Sequence, residues 1–199
     1  MYICNTYNFG YRLLFGITFE IPPAPKDYRG SDLYGSICYW IDGKCIGDMQ
    51  YGTDLGYDAR WALEQIHEKK SFQCSQEIFH ADAQHIIRTM YIDFETEDDE
   101  PVEMDYFGFN GTTDFRDRFM ISPHFPNPLD VIEEHILYFE YEKQGRLIVG
   151  KYDSEKEYYV LQHEFFLDAG EVMPVIQEAY EWLQERYEKE KETETTSIT

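Results

Sequence analysis

Positive charge is scarce in this chain: 17 Lys and Arg stand against 39 Asp and Glu, giving a formal charge of −22 and an isoelectric point near 4.4. A surface so short of cations repels phosphate backbones and anionic lipid headgroups, which argues against direct binding to nucleic acid or a charged membrane. The imbalance exceeds the roughly 2 to 8 charges that suffice to keep a small domain soluble. A basic protein partner accounts for it better, because opposite fields steer encounters and speed association by about 10 to 1,000-fold at low salt. A halophilic or merely acidic housekeeping protein is the alternative, and on charge alone it carries less weight than a basic partner.

Other absences narrow the field further. No stretch reaches the roughly 18 apolar residues of a membrane helix, and the start, MYICNTYNFGYRLLFG, lacks the basic and long apolar regions of a secretory signal. The expected location is the cytoplasm. Cysteine is sparse: Cys4, Cys38, Cys45 and Cys74 show no CxxC spacing and sit in apolar segments, which predicts free, buried, reduced thiols rather than a disulfide frame or a zinc site. No GxSxG elbow, GxxxxGK[ST] phosphate loop or GxGxxG fingerprint is present. No cofactor is implied.

Large apolar side chains are abundant by contrast, with hydrophobic residues at 43% and aromatics at 17% of 199 residues. That supply builds one core, and we expect a single α+β domain over residues 1–188 followed by a disordered charged tail, 189–199. Residues 13–21 (LLFGITFEI) read as a strand stopped by Pro22-Pro23. Two apolar runs flank Asp42-Gly43, the pair that a type I′ hairpin turn demands, so Ile41 should face Lys44, Trp40 Cys45 and Tyr39 Ile46. Tyr39 and Trp40 read as core residues.

Apolar stripes at helical spacing mark residues 54–70 (Leu55, Ala59, Ala62, Leu63, Ile66), with Thr53 or Asp54 as cap, and 82–90 (Ala83, Ile86, Ile87, Met90). Short strands are expected at 106–109 and 118–121, then a three-stranded meander at 135–142, 147–152 and 158–166. A last helix starts near Glu171 and carries Val172, Val175, Ile176, Ala179, Leu183 and Tyr187 on one face. The expected fold is a mainly antiparallel sheet of about five to seven strands flanked by about three helices.

Candidate chemistry is thin. His80, Asp82 and His85 have loose metal-ligand spacing, but offsets of two and three do not share one helical face, and Asp82 reads better as a helix cap. Glu133, Glu134 and His135 lack an HExxH partner. Asp114 and Asp117 beside Arg116 and Arg118 read as an exposed, locally paired turn. A metal-dependent hydrolase built from such groups is the alternative class, and an acidic scaffold or adaptor is a third.

The acidic run is the stronger feature. Asp93, Glu95, Glu97, Asp98, Asp99, Glu100, Glu103 and Asp105 follow one another without a compensating base and lead into Tyr106 and Phe107. A solvated loop is the plain reading of such a run. Acidic side chains framing aromatic anchors, in a chain negative throughout, point instead to a face that binds a basic protein.

The hairpin region, YGSICYWIDGKCIGD (Tyr34 to Asp48), with Phe19-Glu20-Ile21 before it and Gly52-Thr53 and a helix from Leu55 after it, resembles a family of bacterial polymorphic-toxin immunity proteins, immunity protein family forty-two. The resemblance covers roughly the first third of the chain. It implies a cytosolic antidote, encoded beside a toxin exchanged between competing bacteria as in contact-dependent inhibition, that binds the toxin domain and has no catalytic residues. Gly35, Gly43, Gly47 and Asp48 match the pattern, and the glycines suit turns and strand ends.

Overall fold

The computed structural model describes residues 4–22, 33–47, 53–69, 71–89, 105–121 and 134–197. In chain order the elements are β1 (Asn5–Gly10), β2 (Phe15–Ile21), β3 (Tyr34–Ile41), β4 (Lys44–Ile46), β5 (Thr53–Asp54), a π-helical turn (Leu55–Ala59), α1 (Arg60–His67), α2 (Gln76–His80) and α3 (Ala83–Thr89). They continue with β6 (Asp105–Tyr106), β7 (Phe109–Asn110), α4 (Gly111–Phe119), β8 (Glu134–Tyr141), β9 (Gln144–Asp153), β10 (Tyr158–Asp168) and α5 (Val172–Ser197). The class is α+β. Seven of the strands run antiparallel in two sheets, ordered β1-β2-β3-β4 and β10-β9-β8. Among the described residues, no helix is long and apolar enough to cross a membrane.

The described residues gather in two compact units, 4–68 with 171–197, and 69–121 with 134–170. In the first, the Asp42-Gly43 turn has φ of +51° and +75°, and its strands pair Ile41 with Lys44, Trp40 with Cys45 and Tyr39 with Ile46, as the sequence predicts. Strand alternation then sorts the faces. Phe9, Ile17, Phe19, Ile37, Tyr39 and Ile41 are buried on one side, and α5 covers that side with Val172, Ile176, Ala179 and Leu183. Trp182 stacks on Phe19 with ring centroids 5.6 Å apart. Each such side chain taken from water stabilises the fold by about 1.5–3 kcal/mol.

On the opposite side Trp40 is half-buried, so only Tyr39 of the expected pair is fully core. The cysteines divide too. Cys38 is buried, Cys74 is intermediate, and Cys4 and Cys45 are exposed, because Cys4 precedes the first strand and Cys45 sits on the short strand at the end of the sheet. All four are free. Burial, with the neighbouring Cys45 thiol, pushes the Cys38 thiol well above its ordinary range.

Asp54 caps the expected helix, its Oδ1 accepting from the Tyr57 amide at 2.8 Å, and Leu55, Ala59, Leu63 and Ile66 are buried. The first turn is π-helical rather than α. At the chain's other end α5 continues through the charged residues from Lys189 to Ser197, where composition predicts disorder. Extending a helix costs less than nucleating one, and Lys189 pairs with Glu185 at 3.6 Å one turn back.

The second unit contains the expected meander, β8-β9-β10, with α3 laid across β9 and β10. Gly150 permits the close approach: a Cβ there would stand 2.7 Å from Ile87. The strand expected at 118–121 is not formed. Residues 111–119 coil into α4 instead, because Thr112, Phe115 and Phe119 recur at spacings of three and four and bury one face; only Met120 bridges to Leu137. Phe115 and Phe119 meet Phe139 at 5.8 and 4.7 Å. Arg116, expected in an exposed turn, is buried on the same helix.

Candidate functional site

Asp93, Glu95, Glu97, Asp98, Asp99, Glu100 and Glu103 lie outside the described residues. The end of the run is visible as a small hairpin, with Asp105 opposite Asn110 and Tyr106 opposite Phe109. Phe107 occupies its turn at φ +53°, half-buried, with its ring 5.9 Å from that of Phe115. Phe107, just past the described end of the acidic run, is thus set against α4.

The metal-ligand reading of His80, Asp82 and His85 finds a different arrangement. Asp82 Oδ1 accepts from the His85 amide at 2.7 Å as the cap of α3, and the His80 ring packs edge-on against Phe79 at 5.4 Å. Along β8 the neighbours Glu134 and His135 point to opposite sides: Glu134 pairs with Lys151 at 3.4 Å, and His135 Nε2 lies 3.1 Å from the Tyr159 hydroxyl. Among the described residues no three His, Cys, Asp or Glu side chains are placed to hold a metal ion.

A feature that the sequence reading missed lies at the β1–β2 turn. The predicted strand began at Leu13, but β2 starts at Phe15, which leaves Tyr11, Leu13 and Leu14 in the turn with 75%, 76% and 38% of their surface exposed. The backbone there is tightly held. The Tyr11 amide donates to the Phe15 carbonyl at 3.0 Å and the Leu14 amide to the Tyr11 carbonyl at 2.9 Å. The Asp42 and Gly43 amides donate to the Leu14 and Arg12 carbonyls at 3.1 and 2.8 Å, fastening this turn to the β3–β4 turn.

Arg12 does not share the outward course of its neighbours. Its guanidinium lies 4.3 Å over the Trp40 ring and donates to Asn8 Oδ1 at 2.7 Å. The Thr18 hydroxyl donates to the same Asn8 oxygen at 2.8 Å and accepts from Trp40 Nε1 at 2.9 Å. This polar chain across β1, β2 and β3 folds the one cation of the turn back over the sheet.

Beside the turn is a cavity of about 250 Å³ lined by Tyr11, Leu14, Pro174, Val175, Glu171 and Glu178. Its helical wall is a second stripe on α5, Pro174, Val175 and Glu178, which share one face, with Glu171 immediately ahead of the helix. Gly10, at φ +69°, lets the strand close against that wall: a Cβ there would stand 2.7 Å from Val175. The only sequence signal for the feature is a run of apolar residues beside Gly10 that is too close to a turn to be buried.

Comparison with known proteins adds to this geometry. Residues 3–182 match the family described as Immunity protein 42. The crystal structure of CdiI from Burkholderia dolosa AUO158 superposes with a TM-score of 0.55 at 19% identity, covering 86% of this chain and 97% of that one, a likeness of fold. No protein with a curated description matches significantly.

Proposed function

The chain belongs to the Immunity protein 42 family of non-catalytic toxin inhibitors, and from that premise we propose that the toxin domain it neutralises is basic and is captured electrostatically in the cytoplasm. The observation that carries the reading is the charge of −22, far more than solubility requires. A nuclease fits best as the toxin, because an enzyme that holds phosphates presents a positive surface that an acidic inhibitor can occupy. The run from Asp93 to Asp105 is the contact surface we assign from its charge density, with Tyr106 and Phe107 as its aromatic border.

Co-expression with the toxin encoded beside this gene tests the reading. The chain should restore growth and co-purify with the toxin domain. A variant carrying Glu97→Gln, Asp98→Asn, Asp99→Asn and Glu100→Gln should protect less while keeping its circular dichroism spectrum. Protection equal to that of the unaltered chain rejects the acidic segment as the contact.

A further inference from the structure

The β1–β2 turn holds Tyr11, Leu13 and Leu14 exposed next to one another on a fastened backbone, and a contiguous apolar patch rimmed by polar residues is a mark of an interaction site. Tyr11 and Leu13 are the most exposed large apolar residues described, and Leu14 joins them to the cavity wall formed by Pro174 and Val175. Four backbone hydrogen bonds and the stacking of Arg12 on Trp40 fix the turn. Little conformational entropy therefore remains to be lost when a partner covers it, a condition that favours binding.

The cavity indicates what that partner presents. At about 250 Å³ it falls below the roughly 300–1,000 Å³ of small-molecule pockets and is sized for one long side chain. Its walls are largely aliphatic and aromatic, while Glu171, just ahead of α5, and Glu178, within it, also line it, neither with an ion-pair partner among the described residues. An arginine or lysine combines an apolar stem with a charged head and meets both requirements. A second copy of this chain is disfavoured as occupant, because bodies of charge −22 repel one another.

We propose that the β1–β2 turn and the adjoining cavity of α5 form a docking surface for the toxin domain, with Leu13 and Leu14 as apolar anchors and Glu171 and Glu178 receiving a basic side chain. The assignment rests on the reading of the toxin as basic and adds a surface remote in sequence from the acidic run. Tyr11, 75% exposed beside the two leucines and on the cavity wall, is of a residue type enriched among interface hot spots.

The test measures the affinity of the full chain for the purified toxin domain from the neighbouring gene, using two double variants, Leu13→Ala with Leu14→Ala and Glu171→Gln with Glu178→Gln. All four side chains are at least partly exposed, so thermal melts of the variants should match the unaltered chain. Each double variant is expected to weaken binding about tenfold or more, and the Glu pair alone should also flatten the salt dependence. Affinities within about twofold of the unaltered chain overturn the docking surface while leaving a basic toxin intact. Failure of the unaltered chain itself to bind overturns both. Sedimentation of the chain alone completes the test: a dimer dispersed by Leu13→Asp makes a second copy the occupant and overturns the assignment.

Discussion

Arg146 and Glu164 meet at 2.8 Å on neighbouring strands of the meander, and the same guanidinium, 3% exposed, donates to the carbonyls of Phe79 at 2.6 Å and Ala81 at 2.8 Å. The last carbonyls of a helix have no partner within it. At the end of α2 a buried cation from β9 supplies one. Five residues are too few for a helix to persist unaided, so Arg146 holds α2 in place.

Arg146→Met keeps much of the side-chain volume and removes every one of these bonds. It should destabilise the protein by about 3 kcal/mol, since buried carbonyls and a half-buried carboxylate lose their partner. Glu164→Gln should cost less, because the carbonyl bonds remain. Urea unfolding of both variants checks the order, and equal losses would place the stabilisation in the ion pair alone.

Tyr39 makes the opposite case. Its hydroxyl is wholly buried and has no hydrogen-bond partner among the described residues, and burial pushes its phenol far above the ordinary range. Tyr39→Phe removes an unsatisfied group from the core and should raise stability by about 1 kcal/mol with an unchanged denaturant slope. A loss of stability would mean that the hydroxyl is bonded.

Lys69 introduces a pH dependence. Burial pulls its ammonium down from 10.5 to about 8, against the pull of Asp117, while its Nζ donates to the Met120 carbonyl. Between those values the unfolded chain binds more protons here than the folded one, so this group makes stability rise with pH. The Cys74 thiol, raised by burial from 9 to about 11, acts in the opposite direction from pH 9 upward. Comparison with Lys69→Met isolates the lysine: from about pH 7 to pH 9.5 the stability of the unaltered chain should gain on that of the variant. A constant gap contradicts the buried ammonium.

The single-domain expectation also makes a measurable claim. The three tryptophans, Trp40, Trp61 and Trp182, all lie in the first unit, so their fluorescence reports on it, whereas circular dichroism reports on both. One domain requires the two unfolding curves to coincide. Separate midpoints would make the units independent.

Local chemistry decided which parts of this fold were legible in the sequence. Asp42-Gly43 sets its own register because few other pairs accept positive φ twice in succession. The stripe of Val172, Ile176, Ala179 and Leu183 likewise carries its helical period on its face. Residues 111–119 did not, because Phe115 and Phe119 are two apolar positions in a short polar stretch, and their helical spacing gains meaning only when Phe139 is brought against them. Leu13 and Leu14 misled in the other direction: they continue the apolar run of β2, and their exposure arises from the fastening of two turns separated by some thirty residues, a tertiary effect that periodicity does not carry.

The rate at which the chain associates with the toxin domain, followed by stopped-flow at rising salt, tests capture by charge most directly. The rate constant should fall about tenfold or more from low to physiological ionic strength, with dissociation far less affected. An association rate indifferent to salt would contradict electrostatic capture.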